Sequence, residues 1–166
     1  MKLTPLPERR TPRNAALAWL AVAACIAAIW SLSADLFASS ETSRFFRPFL
    51  LWLFPDLSQE ALRRANLLVR KAAHVTEYAI LSMFAFRAWW LSFEASLARI
   101  AALSLGLVFA VAALDEARQS LSLARTGTPW DVAIDVAGGA AALGLLLLVQ
   151  RGLRTAPAPL YPRTPS

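Results

Sequence analysis

The chain has 166 residues, of which 57% are hydrophobic, with a mean hydropathy of +0.48 and a formal net charge of +6. That length suits one domain, and the composition leaves too little polar surface for a soluble domain of this size. Charged residues make up 17% of the chain and are clumped between long apolar runs, so the basic excess fits orientation in a membrane rather than nucleic-acid binding. Cys25 is the single cysteine, which excludes an internal disulfide.

Residues 1–14 read as a basic tail carrying Lys2, Arg9, Arg10 and Arg13. The first predicted span covers residues 15–32 and has no charge. Ser31-Leu32-Ser33 has the small-residue character of a signal-peptide cleavage site. The apolar core is nevertheless longer than a signal h-region of about 7–15 residues, and further spans follow, so a retained helix is expected. The connection over residues 33–69 is too long for a plain turn. Its apolar, aromatic stretch at residues 45–55 is too short to cross a hydrocarbon core of about 20 helical residues, which predicts an interfacial or re-entrant segment. Residues 57–70 then read as an amphipathic helix with Ser58 as N-cap, leading into the second span.

The second span cannot be drawn from the residues between Glu77 and Arg87 alone. It must take His74 and Glu77 into one end and Arg87 into the other, where Arg87 can snorkel beside Trp89 and Trp90. The third span runs from about Arg99 into Asp115 and Glu116. The fourth begins near Asp131, carries Asp135 one turn inside and continues to Val149, with Gly138 and Gly139 offering a bare patch for close helix approach. Residues 151–166 form a Pro-rich tail, expected to be disordered from Thr155 onward. The expected fold class is therefore all-α: an integral membrane bundle of about four transmembrane helices, with the interfacial or re-entrant segment between the first and second.

With four spans both termini share one side. Arg87, Arg99, Arg151, Arg154 and the basic N-terminus lie there, which predicts a cytoplasmic location for both. Whatever the orientation, Lys71, His74, Glu77, Asp115, Glu116, Gln119, Arg125, Asp131 and Asp135 then meet at the face opposite the termini, which is extracytoplasmic if the termini are cytoplasmic. Lys71, His74 and Tyr78 share a helix face by i+3 and i+4 steps, Glu77 lies three residues from His74, and Asp131 and Asp135 stack one turn apart. Bases near one helix start and acids near one helix end oppose the helix dipole unless they meet each other. A charge network follows, with Lys71, His74 and Arg125 facing the acids of spans three and four.

These residues carry a resemblance. Arg70-Lys71-x-x-His74-x-x-Glu77-Tyr78-x-x-Leu81 resembles the first signature of the VanZ-like family of small membrane proteins. Asp115-Glu116-x-x-Gln119, then Arg125-x-Gly127 and Asp131-Val132-x-x-Asp135-x-x-Gly138, is similar to the second. Family members often have Asn where this chain has Asp135. The resemblance implies that residues 15–150 form a VanZ-like transmembrane domain in a bacterial inner membrane. The family takes its name from a protein linked to low-level resistance to teicoplanin, a glycopeptide acting on the cell wall, and its biochemical activity is not established.

Chemistry ranks the functions. Charges inside a membrane segment are costly and need a partner, a water-filled cavity or a task. The leading expectation is a pocket for the polar headgroup of a cell-envelope lipid, a lipid-linked sugar or a wall precursor. Lys71, Arg125 and Arg118 would hold an anion, while Tyr78, Gln119, Asp131 and Asp135 complete the ligand-binding set and the acids take hydroxyls or amines. The alternative is an intramembrane hydrolase or transferase on a lipid-linked substrate, with His74 as general acid or base and Glu77, Asp115 and Glu116 orienting or tuning it. The third possibility is a purely structural charge network; transport ranks last. One His with scattered acids is a poor zinc signature, and no cofactor motif occurs, so neither metal nor cofactor is expected. Asp115→Asn or His74→Ala is expected to impair function more than folding.

Overall fold

The computed structural model describes residues 10–33, 47–121 and 128–155, with the side chains of 152–155 left aside. Residues 1–9 and 156–166 of the expected tails, Phe45, Phe46, and the loop residues Arg125, Thr126 and Gly127 lie outside the described residues, whereas residues 12–14 and 151–155 are helical rather than tail.

Five helices make up the described chain: α1 (Pro12–Leu32), a short α2 over residues 47–53, α3 (Gln59–Ser92), α4 (Leu97–Ser120) and α5 (Pro129–Thr155). Their starts are set by local chemistry. Thr11, Ser58 and Ser96 adopt extended backbone and accept hydrogen bonds from the amides of Asn14, Ala61 and Arg99, satisfying donors that the first helical turn leaves free. Pro12 and Pro129 open α1 and α5, where a missing N–H costs nothing.

α1, α4 and α5 are long and apolar enough to cross a membrane. Their outer surfaces are apolar, with Leu17, Leu20, Phe109, Leu114, Leu145 and Leu148 all more than half exposed. The buried set, by contrast, includes Ser82, Ser104, Asp115, Gln119 and Asp135. An apolar exterior around buried polar groups is the arrangement a bilayer selects, and the molecule is a helical membrane bundle.

α3 is the axis of that bundle and packs against α1, α4 and α5. The amphipathic helix expected over residues 57–70 and the second span are one continuous helix of 34 residues. At 1.5 Å per residue this is about 50 Å long, against a hydrocarbon core of about 30 Å. Trp89 and Trp90 mark one membrane interface; Trp19 meets Trp89 edge-on at 4.7 Å, and Arg10 lies over Trp90. About 20 residues back along α3 is the neighbourhood of Arg70 and Lys71, so these residues reach the opposite interface and the first turns of α3 project beyond it. The continuity also corrects the dipole argument for Lys71 and His74. They lie more than three turns inside the helix, beyond the reach of its N-terminal partial charge.

The core is built on α3 through Tyr78, Leu81, Ala88 and Leu91, against Ala18, Val22 and Ile29 of α1 and Val108, Val111 and Ala112 of α4. α5 comes closest at its two glycines. A Cβ on Gly138 would stand 2.8 Å from Val75 Cγ1 and 3.0 Å from the Val75 carbonyl oxygen. One on Gly139 would meet Ser82 Cβ at 3.3 Å. Ser82 Oγ uses the proximity to donate to the Gly139 carbonyl at 3.1 Å. This contact fixes the height of α5 against α3, and so the height at which Asp131 and Asp135 meet Lys71 and His74.

Candidate functional site

One turn before Gly138, α3, α4 and α5 part around a cavity of about 270 Å³. Leu67, Arg70, Lys71 and His74 line it from α3, Glu116 and Gln119 from α4, and Thr128, Asp131, Ile134 and Asp135 from the start of α5. Three groups of opposite or complementary character face each other across it. The Lys71 ammonium pairs with Asp131. His74 Nδ1 stands 4.0 Å from Asp135 Oδ2, with Asp135 almost wholly buried. Arg70 donates to the amide oxygen of Gln119 at 3.4 Å.

Thr128 ties the fourth corner. Its backbone N–H donates to Glu116, and its hydroxyl donates to Asp131 Oδ2 at 3.1 Å. Asp131 therefore receives both the Lys71 ammonium and the Thr128 hydroxyl, and one Glu116 oxygen holds the entry to α5 against the end of α4.

The neighbouring residue on α4 goes elsewhere. Asp115 is 2% exposed and lies behind the cavity, where Arg118 donates to its Oδ1 at 2.9 Å and Gln119 to its Oδ2 at 2.8 Å. Arg118 also reaches the Trp30 carbonyl at 3.3 Å, joining the ends of α4 and α1. Gln119 thus bridges the two layers, accepting from Arg70 at the cavity and donating to Asp115 behind it.

Of the residues singled out in the sequence, the structure brings Lys71, His74, Glu116, Gln119, Asp131 and Asp135 into one cavity. Asp115, Glu77 and Tyr78 are not in its lining. Glu77 is half-buried, within electrostatic range of Asp115 and of Cys25 on α1, and makes no hydrogen bond or ion pair among the described residues. The Tyr78 ring stacks near His74 at 6.4 Å, and its buried hydroxyl has no hydrogen-bond partner among the described residues. Arg118, expected to hold an anion, spends its guanidinium on Asp115 and Trp30. Arg125 lies outside the described residues.

Two further polar lining residues, Arg70 and Thr128, are not among the candidate site residues read from the sequence, although each carries a signal there. Arg70 precedes His74 by four residues and so shares its face. Thr128-Pro129 followed by Asp131 is the pattern of a helix start, which places a hydroxyl beside the first-turn acid. Arg70 matters most for charge. Lys71 is already neutralised by Asp131, whereas Arg70 hydrogen-bonds a neutral amide, has no carboxylate within ion-pair distance among the described residues and feels Glu116 only at longer range. Its planar fork retains donors suited to bidentate capture of a phosphate or carboxylate.

Among the described residues no group of three or more His, Cys, Asp or Glu side chains is placed to hold a metal ion. The lining offers one available guanidinium, several carboxylate acceptors and one imidazole within a space of small-headgroup size. The sequence pattern of the family described as VanZ/LLP1 matches residues 17–150, a stretch that contains every cavity residue. No curated protein and no solved structure matches the chain.

Proposed function

Because the chain belongs to the VanZ/LLP1 family and is a multi-pass membrane protein, we propose that its cavity binds the polar headgroup of a cell-envelope lipid or lipid-linked wall precursor. The phosphate lies on Arg70, and hydroxyls or amines of the head lie on the free acceptors of Glu116 and Asp135. The observation that carries this reading is the Arg70 guanidinium, which faces the cavity and has, among the described residues, the Gln119 amide as its hydrogen-bond partner, with Glu116 in electrostatic range. The cavity opens at the membrane face opposite the Arg10–Trp90 end, where α3 passes out of the hydrocarbon. With both termini in the cytoplasm that face is extracytoplasmic, and any link to glycopeptide resistance would run through the bound envelope lipid or precursor.

Native mass spectrometry of the protein released from nanodiscs tests the reading. Wild type should carry a phosphate-bearing lipid that Arg70→Ala loses about tenfold, as expected from removing one charge-assisted contact. Equal adducts in both proteins would refute it and return weight to a structural network.

One observation favours a second reading. His74 and Asp135 stand as an imidazole–carboxylate pair inside the cavity, and apo pairs at such distances can tighten on substrate binding. As an enzyme, the protein would use His74 as general acid or base on the headgroup. His74→Gln would then abolish release of the head from a co-purified lipid while leaving the adduct in place.

A further inference from the structure

A second cavity, of about 430 Å³, lies on the seam between α4 and α5. Phe109, Ala113, Ala117 and Ser120 line it from α4, and Pro129 and Val132 from α5. Apart from Ser120 and the two residues at its head, its walls are apolar. Those two are Glu116 and Thr128, which also line the polar cavity, so the two spaces meet at the hydrogen bond joining them.

The geometry points to a hydrocarbon-chain groove, and we propose that one chain of the membrane lipid whose head occupies the polar cavity lies in it. The inference rests on the headgroup reading and adds the chemical class of the ligand and its route. The lipid enters sideways from the bilayer through the α4–α5 seam, and a water-soluble sugar phosphate lacking a chain binds only weakly.

Three observations carry this. The groove belongs to two helices that are each long and apolar enough to cross a membrane, and Phe109 and Ala117 on its rim are exposed, so the surroundings are lipid tails. From Ser120 to Phe109 the groove follows α4 for about 16 Å, roughly half of a hydrocarbon core. Polar and apolar lining are segregated on either side of Glu116 and Thr128, the sequence of surfaces that an amphiphile presents from head to tail. Ala113 and Ala117 form the groove by being small: larger side chains one turn apart would fill it.

The test uses full-length protein in nanodiscs of equal parts phosphatidylethanolamine and phosphatidylglycerol, examined by native mass spectrometry. Glycerol phosphate is added separately as the chainless head. Wild type should retain phosphatidylglycerol after annular lipids have been stripped, and Ala117→Leu should lower its occupancy about tenfold, equivalent to about 1.4 kcal/mol. Ala117 faces outward, so this substitution leaves the core packing intact, and glycerol phosphate should bind Ala117→Leu and wild type alike. Phe109→Ala, which widens the groove, should lower phosphatidylglycerol occupancy without affecting glycerol phosphate. Loss of the adduct in Arg70→Ala together with full retention in Ala117→Leu would overturn the groove and leave the headgroup reading standing. Glycerol phosphate binding by a wild type that keeps no lipid would do the same. No binding of either probe to wild type would overturn both. A lipid-free dimer, broken by Ala117→Leu, would assign the seam to a second copy and overturn the chain groove.

Discussion

Asp115 and Glu116 are adjacent acids that a helix turns about a hundred degrees apart, and their fates differ accordingly. Glu116 reaches the cavity, while Asp115 points into the bundle and takes two hydrogen bonds from Arg118 and Gln119. Burial moves the expected cost of changing Asp115 from function to folding. Asp115→Ala strips both donors of their acceptor and should destabilise the protein by about 1–3 kcal/mol, read as a lowered unfolding temperature in mild detergent. Asp115→Asn should recover part of that loss, because an amide oxygen still accepts from Gln119. An Asp115→Ala protein as stable as wild type would show that this pair contributes nothing to the fold. Which of two neighbouring acids faces inward was not legible in the sequence, because helical phase alone does not say which side of α4 is turned to its neighbours. Lys71, His74, Asp131 and Asp135 were legible, because their spacings put them on two faces and their charges require those faces to meet. The same spacing rule, extended one turn back, reaches Arg70.

At the scale of elements, the α3–α5 crossing decides whether the cavity exists. Val75 lies one residue beyond His74, and Gly138 three beyond Asp135, so the closest approach at any described glycine sits directly beside the His74–Asp135 pair. Gly138→Ala drives a methyl group against the Val75 side chain and carbonyl, and the carbonyl cannot rotate away. The two helices must separate, at a cost of about 1–3 kcal/mol typical of overpacking, and bound lipid should fall with stability. At Gly144, on the same helix, an added Cβ would meet nothing within 4 Å, so Gly144→Ala should leave the unfolding temperature unchanged or slightly raised. Equal melting of Gly138→Ala and wild type would contradict the close approach. The glycine pair announced this contact in the sequence, whereas the fusion of the amphipathic segment with the second span did not. Arg63, Arg64, Arg70 and Lys71 interrupt the apolar run there, yet nothing breaks the helix.

For the whole molecule, the two ends of the bundle are chemically unlike, and this bears on orientation. Arg10, Arg13, Arg87, Arg99 and Arg151 gather where α1 and α4 start and α3 and α5 finish, with Glu94 on the connecting turn and its carboxylate 3.7 Å from Arg10. The site end carries basic residues too, but Asp131 neutralises Lys71, Asp115 engages Arg118 and Glu60 engages Arg64. The positive-inside rule weighs the first set more heavily, because it flanks short connections beside the spans. A single-cysteine experiment checks the result. In a Cys25→Ala background, Gln59→Cys and Glu94→Cys place exposed thiols at the two ends. A membrane-impermeant maleimide applied to intact cells should label Gln59→Cys at once and Glu94→Cys only after permeabilisation. The reverse pattern would put the termini outside and the cavity on the cytoplasmic face. A lipid-linked ligand would then have to be one presented on the inner leaflet before export, so the labelling pattern decides which leaflet's lipids belong in every binding assay of the cavity.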